Sequence, residues 1–399
     1  MRRDIAHMRE VRAPIEHLNA LTTLRFFAAF HVLLFHYQSM FFYNTFRTPT
    51  PDAIWLGFTS VTFFFVLSGF ILAHNYSAVK FDAATLRLYA CARLSRIYPV
   101  YLLSLLIAMP FLFRQIGGQP DWIHPLWIAS IILAPLGLHA WVPGAACALN
   151  CPSWSISTEF FFYLMFPLLM PIALRRPGMF ASATVVFWVL TTLFYIWLWQ
   201  QTGDGQSVIR TAEEQSRAAI LSAQLIKYFP IGRLPEFMAG IAAYVFWSAN
   251  RQRISASTAL SLFAAMATII LFFHRDIPEI VLHNGATVGA WVALIVAAAG
   301  MRGGILTHPI AVSLGQASFS LYLLHGPVAL AVFAVDTMFF GRVLREWPWS
   351  TATLTTILSI ALSSIVFSTF EEPCRRALRR RFSEHLRKQE SHAERPTPT

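Results

Sequence analysis

The segment ALTTLRFFAAFHVLLFHY (residues 20–37) decides the fold class, because it is long and apolar enough to cross a bilayer yet contains an arginine and two histidines. Arg25 and His36 are eleven residues apart. At about 100° per residue they return to nearly the same helix face, roughly 16 Å apart. An ionisable group inside a membrane helix is costly unless it faces a protein interior or water. The segment therefore predicts a membrane helix that lines a functional cavity.

The composition extends this prediction to the whole chain. Of the 399 residues, 56% are hydrophobic and only 13% are charged, whereas soluble domains carry about a quarter charged residues. Ten apolar blocks are long enough to cross a hydrocarbon core. We therefore predict an all-α polytopic membrane protein with about ten transmembrane helices in one bundle, located in the inner (cytoplasmic) membrane of the cell. The blocks cover residues 20–43, 54–74, 97–114, 157–174, 179–200, 231–249, 255–273, 281–300, 310–335 and 350–370.

The net charge of +11 is interpreted as a topology signal rather than as nucleic-acid binding, because most of the excess lies in short connecting segments and the tail. Ten spans with an internal N-terminus place 21 Lys and Arg on the inner side and nine on the outer side. An eleventh candidate, residues 126–141, is interrupted by Pro135 and Gly137, and letting it span would give 15 on each side. The positive-inside rule thus favours ten spans, two cytoplasmic termini and a re-entrant or interfacial segment near 126–141.

Three regions follow from this topology. Residues 1–19 form a cytoplasmic segment without a cleavable signal peptide, and residues 20–372 form the transmembrane domain. Residues 373–399 are a basic cytoplasmic tail that is predicted to be disordered distally. Cys147 and Cys151 fall in a segment on the predicted outer side, where a disulfide is one of two alternatives.

Two arginines form the main feature of the predicted cytoplasmic side. Arg93 and Arg96 are three residues apart at a predicted helix entrance, so their side chains point the same way. Guanidinium groups in this arrangement suit a phosphate, which they can bind with bidentate contacts. Contact with lipid headgroups is the alternative interpretation.

On the predicted outer side, a polar stripe enters an aromatic helix. Ser155, Glu159 and Tyr163 recur every four residues, and an acid that enters a membrane needs a partner such as Arg or His. Arg233 and Glu236 lie three residues apart at the start of another helix. For these two we expect an internal ion pair.

Further polar residues lie in apolar segments. Tyr322 and His325 share a helix face, and His325 either orients a catalytic group or is a packed residue. Ser68 is interpreted as a small residue that permits close helix approach. His283 lies beside a short outer turn and is expected at the surface. No Gly-rich phosphate loop, HExxH motif or zinc spacing of cysteines occurs, so no metal is predicted.

Taken together, these segments resemble the acyltransferase-3 family of membrane acyltransferases, which modify extracytoplasmic glycans and some small molecules. The resemblance covers roughly residues 18–376, and the order and spacing of its blocks make it specific. The blocks are Leu24-Arg25 with Leu34 to His36, Phe64 to Phe70, Arg93 to Pro99, Trp154-Ser155 to Glu159 with Phe162-Tyr163, Arg233 to Phe237, Ser320 to His325, and Glu371 to Pro373 before Arg375-Arg376.

The resemblance implies an enzyme that uses cytoplasmic acyl-CoA, usually acetyl-CoA, and an acceptor hydroxyl at the outer face. The acceptor would be an extracytoplasmic glycan, a glycolipid or a hydroxylated small molecule; its identity, the acyl chain length and the oligomeric state stay open. His36 matches the family's essential histidine, and Arg25 matches its intramembrane arginine. Arg93 and Arg96 match its cytoplasmic Arg-x-x-Arg, where the coenzyme is expected to dock. One departure is Thr62, because many members carry an acid there.

For the chemistry, we expect His36 to act as a general base on the acceptor hydroxyl, with Glu159 orienting its other nitrogen. An acyl-histidine intermediate is the alternative. Arg25 is expected either to stabilise the developing oxyanion or to hold the coenzyme. The competing class is a proton-coupled transporter of a small polar solute, which intramembrane Arg, His and Glu also suit. A non-catalytic membrane scaffold is the third hypothesis.

Overall fold

The computed structural model describes residues 18–43, 51–203, 205, 207–209 and 216–393, with side chains up to residue 382. This part of the chain is built of helices and turns, without a strand. The predicted segment 1–19 lies outside it except for its last two residues. The main helices are α1 (Asn19–Tyr37), α2 (Ser60–Tyr76), α3 (Ala83–Ile116), α4 (His124–Leu133), α5 (Trp154–Arg175), α6 (Pro177–Thr202), α7 (Arg217–Tyr228), α8 (Pro230–Asn250), α9 (Ala256–Phe273), α10 (Val288–Ala299), α11 (Pro309–Gln316), α12 (Ser318–Phe339), α13 (Pro348–Val366) and α14 (Glu372–Ala393).

The described residues contain nine helical segments that are long and apolar enough to cross a membrane. The expected span at 231–249 is present as α8, a helix of 21 residues, but it is not one of the nine. Arg233 and Glu236 lower its mean hydropathy, although both side chains are buried. Apolar side chains of α1, α2, α3, α5, α8 and α12 pack into a common core.

Helices α2 and α8 are in backbone contact at the centre of this core. A Cβ added to Gly69 of α2 would overlap the carbonyl oxygen of Phe237, and one added to Gly240 of α8 would overlap that of Val66. Small residues allow such close approach in membrane helices. The sequence had suggested Ser68 for this role, but its neighbour Gly69 makes the contact.

Helix α3 begins well before the apolar block that predicted it. Asp82 caps its first turn in a capping box, because its carboxylate accepts the backbone N–H of Thr85 while the Thr85 hydroxyl accepts the backbone N–H of Asp82. The bond from the Thr85 backbone holds the pKa of the Asp82 carboxyl below its usual range. Arg93 and Arg96 therefore lie inside a 34-residue helix rather than at its entrance, and Pro99 is accommodated within it.

Several other predicted boundaries are revised by the structure. The block 310–335 is divided into α11 and α12 at Ala317, and 281–300 is kinked at Asn284 and Gly285, where Gly285 has a φ of 108°. Helix α14 extends into the basic tail as far as Ala393, and residues 394–399 lie outside the described part of the chain. Residues 126–141 fall on α4, which has only ten residues, and on the turns that follow it. Cys147 and Cys151 form a disulfide.

The contact of α2 with α8 is tested by Gly240→Ala. We expect a loss of roughly 1–3 kcal/mol in the free energy of unfolding, because the new methyl group has no space against the α2 backbone. Thermal unfolding of the purified protein in nanodiscs measures the change. Gly178→Ala is the matched control, since no atom lies within 4 Å of its added Cβ. Equal melting temperatures for the two variants would contradict the close approach.

Candidate active site

A cavity of about 310 Å³ lies inside the bundle, with walls from α1, α2, α3, α5 and α12. Helix α2 lines it from Asn75 to Val61, which is about 21 Å at the rise of an α-helix. The cavity is therefore elongated along the helix axes. Seven of the predicted site residues line it together: Arg25, Ser68, Arg93, Arg96, Ser155, Glu159 and Tyr322.

The three arginines differ in how they are held. Arg93 donates from Nη2 to the hydroxyl of Tyr76 at 3.1 Å, and its guanidinium carbon lies 5.4 Å from the centre of that ring. Arg25 and Arg96, both partly buried, make no hydrogen bond or ion pair within the part of the chain that the structure describes. The carboxylates of Glu159 and Glu371 attract Arg25 from a longer distance, and that of Glu371 also attracts Arg96. The hydrogen-bond donors of both guanidinium groups therefore face the cavity without a bond to the described chain.

The predicted polar stripe of α5 faces the same cavity. Glu159 accepts a hydrogen bond from Ser68 at 3.1 Å and one from Tyr163 at 2.5 Å. Ser155 also lines the cavity, and its hydroxyl donates to the carbonyl of Pro152. Hydroxyl groups therefore satisfy the acid, in place of the direct Arg or His partner that the sequence suggested. Ser68 acts here as a polar cavity residue.

A histidine pair lies beyond this cavity. His36 Nδ1 and His325 Nε2 are 2.7 Å apart, a hydrogen bond between residues 289 positions apart in sequence. The ring of His325 is fully buried, whereas His36 is partly exposed. The predicted pairing of Glu159 with His36 is therefore wrong. Glu159 lines the cavity beside Arg25, and His36 lies three turns further along α1.

The cavity ends close to the pair. Tyr322 is a lining residue, and His325 follows it one helical turn later, with 6.3 Å between the two ring centres. Phe64 of α2 packs edge-on against Tyr322 at 5.6 Å. These two aromatic rings lie at the end of the cavity nearest the histidine pair.

The expected ion pair between Arg233 and Glu236 is present, at 3.0 Å with both side chains 1% exposed. Arg233 also contacts His283, through the ring Nδ1 at 3.1 Å and the backbone carbonyl. Thr62 accepts from Arg233 at 3.3 Å and donates to Glu236 at 3.4 Å. None of these side chains lines the cavity. Trp154 is buried between them and the cavity wall, with the Arg233 guanidinium carbon 5.9 Å from its ring centre.

Three residues that bond to predicted site residues were not recognised in this role from the sequence. His283 was expected at the surface but is 7% exposed and holds Arg233. Tyr76 holds Arg93, and the hydroxyl of Tyr37 donates to the backbone carbonyl of His325 at 3.0 Å. The position of His283 inside an apolar block was a sequence signal that this side chain is buried and hydrogen-bonded. No group of three or more His, Cys, Asp or Glu in the described chain could hold a metal ion.

The apolar helices and the arginine-lined interior indicate a multi-pass membrane protein with an internal cavity. The sequence model of one family, described as an acyltransferase domain (Acyl_transf_3), matches residues 18–368. The chain therefore belongs to the acyltransferase-3 family, as its motifs predicted.

Comparison with known proteins agrees with this assignment. The chain is 27% identical to the acyltransferase MdmB of Streptomyces mycarofaciens over 393 residues, which cover 91% of this chain and 93% of that protein. It is 28% identical to protein 2 in the picA locus of Rhizobium radiobacter over 162 residues, which cover 37% of this chain and 80% of that protein. No solved structure matches the chain.

The buried ion pair is tested by Arg233→Leu. Removing the arginine leaves the Glu236 carboxylate buried without its partner, so we expect a loss of about 3–5 kcal/mol in the free energy of unfolding. The double variant Arg233→Leu/Glu236→Leu should recover much of this loss, because no charge is left behind. Thermal unfolding in nanodiscs measures both. If the double variant were less stable than Arg233→Leu, the unpaired Glu236 carboxylate would not be the cause of the loss, and the prediction would be contradicted.

Proposed function

We propose that this protein transfers an acyl group, with acetyl the preferred one, from cytoplasmic acyl-CoA to a hydroxyl of an extracytoplasmic glycan, glycolipid or hydroxylated small molecule. Family membership supports acyl transfer. The observation that carries the choice of donor is the cavity lined by Arg25 and Arg96, whose guanidinium groups make no direct hydrogen bond or ion pair within the described residues. Coenzyme A carries phosphate groups, which guanidinium groups bind well.

The orientation in the membrane follows from the distribution of charge. The positive-inside rule supports ten spans with both termini in the cytoplasm. These ten are the nine long apolar segments of the described residues together with α8. In this orientation the cavity end that carries Arg93 and Asn75 faces the cytoplasm, and His36 lies towards the outer face. The donor then enters from the cytoplasm and the acceptor from outside. Ser68 and Glu159 line the path of the coenzyme arm between them.

His36 acts as the general base. It takes the proton of the acceptor hydroxyl while that oxygen attacks the thioester carbonyl, and it returns the proton to the sulfur when the carbon–sulfur bond breaks. Such proton transfer contributes about 10²–10⁴ in rate. Arg25 is assigned to the coenzyme rather than to the oxyanion, because it lines the donor cavity roughly 16 Å along the helix from His36.

The reaction is tested with radiolabelled acetyl-CoA and a pool of envelope glycans, using protein in nanodiscs. We expect His36→Ala to lower kcat by about 10²–10⁴ while acetyl-CoA binding is retained. Arg96→Gln should raise the KM for acetyl-CoA roughly 10- to 100-fold through the loss of a charged hydrogen bond.

The exposed residues His308 and Arg253 supply matched controls, His308→Ala and Arg253→Gln, which should behave as the unchanged protein. Normal transfer by His36→Ala would refute the general base. Solute flux through the protein without acetyl-CoA consumption would contradict the acyltransferase and favour the transporter.

The end of the cavity supports a short acyl group. Phe64 and Tyr322 close the space where the acyl group of a bound coenzyme would lie. Phe64→Ala should therefore shift the ratio of butyryl-CoA to acetyl-CoA turnover about tenfold towards butyryl-CoA, given about 0.8 kcal/mol per buried methylene. Phe27→Ala is the control, because that ring is 50% exposed on α1. An unchanged ratio in Phe64→Ala would place the acyl group elsewhere.

A further inference from the structure

We infer that His325 is a positioning residue that fixes the tautomer of His36 and so leaves the lone pair on the nitrogen that acts as base. The inference rests on the proposed function and adds a role for a residue outside the donor cavity. It is carried by the hydrogen bond between the two rings and by the position of His325 against the backbone of its own helix.

The hydrogen-bond chain assigns the protons. His325 Nδ1 lies 3.2 Å from the carbonyl oxygen of Leu321. A carbonyl only accepts, so Nδ1 of His325 carries the hydrogen and its Nε2 carries the lone pair. His36 Nδ1, which lies 2.7 Å from that Nε2, must then be the donor. The lone pair of neutral His36 is consequently on Nε2.

Both rings are assigned as neutral because neither has a counter-charge. Among the described residues, no acid forms an ion pair with His36 or His325. His36 Nε2 also has no hydrogen-bond partner in this part of the chain. The nitrogen that the assignment leaves unprotonated is thus free to meet an acceptor hydroxyl.

The turn of α12 that carries His325 is held in place from two sides. Pro327 lacks an N–H, so the carbonyl of Leu323 has no donor within the helix. Asn150 supplies one from its side-chain nitrogen at 3.0 Å. The carbonyl of His325 accepts from the hydroxyl of Tyr37, which is also 2.8 Å from the hydroxyl of Ser359. The ring of His325 therefore presents Nε2 to His36 from a fixed backbone.

During the reaction His325 neither gains nor loses a proton. When His36 Nε2 takes the hydroxyl proton, its Nδ1–H still donates to His325 Nε2, which helps to stabilise the imidazolium. The proton on Nε2 then passes to the leaving sulfur. The arrangement follows the logic of a catalytic triad, in which a third group orients the base, with a neutral imidazole in place of the carboxylate.

The test compares His325→Leu with His325→Gln in nanodiscs. Leucine removes the acceptor, so we expect kcat to fall about 100-fold while the KM for acetyl-CoA stays unchanged. Glutamine offers an amide oxygen to His36 Nδ1, and should recover kcat to within about tenfold of the unchanged protein. In a His36→Ala background, His325→Leu should cost nothing further, because the residue acts only through His36.

Nitrogen NMR of protein with 15N-labelled histidine identifies the tautomer of His36 independently of any activity assay. The signals of His36 are the ones that disappear in His36→Ala. We expect a protonated Nδ1 and an unprotonated Nε2 on His36, and a mixture of tautomers in His325→Leu. Protonation of His36 at Nε2, unchanged kcat in His325→Leu, or equal losses in the Leu and Gln variants would each overturn the inference. If the protein transfers no acyl group but the NMR result holds, the proposed function fails and the positioning of His36 stands.

Discussion

The bundle is organised by the cost of placing charge in an apolar interior. The buried charge of Arg233 is compensated by its ion pair with Glu236 and its hydrogen bond to His283. This cation is therefore part of the packed core. Arg25 and Arg96 face a cavity instead of a core, and make no direct ion pair within the described chain. Glu159 and Glu371 attract Arg25 only at longer range, and Glu371 attracts Arg96 in the same way. The same constraint therefore distinguishes Arg233, which is packed in the core, from Arg25 and Arg96, whose hydrogen-bond donors face the cavity.

Helix α2 connects these two environments. Gly69 brings its backbone against α8, and the adjacent Ser68 donates to Glu159 in the cavity. Neighbouring residues of a helix point about 100° apart, so a single turn can serve both surfaces. Thr62 of the same helix bonds both members of the buried ion pair. The pair thus helps to hold the cavity wall, although it does not line the cavity.

The helical class was predictable from the sequence because the length and hydropathy of a block are local properties. The start of α3 was not, since its first turns are polar and depend on the cap at Asp82 rather than on apolar residues. The common face of Arg25 and His36 was predicted from spacing, but their partners were not. His325 lies 289 residues from His36, and the choice between His325 and Glu159 depends on how distant helices pack.

The separation of Arg25 from His36 narrows the kind of ligand that the site can use. A small inorganic anion would be satisfied by the arginines alone and would not reach a base roughly 16 Å along the same helix. A ligand that uses both ends must be elongated, with negative charge at one end and a reactive centre at the other. Acyl-CoA has this form, and a cavity about 21 Å long on α2 leads from one end towards the other. Phe64 and Tyr322 line the end of this cavity nearest the histidine pair, so aromatic rings flank the place where the reactive centre of such a ligand would come closest to His36.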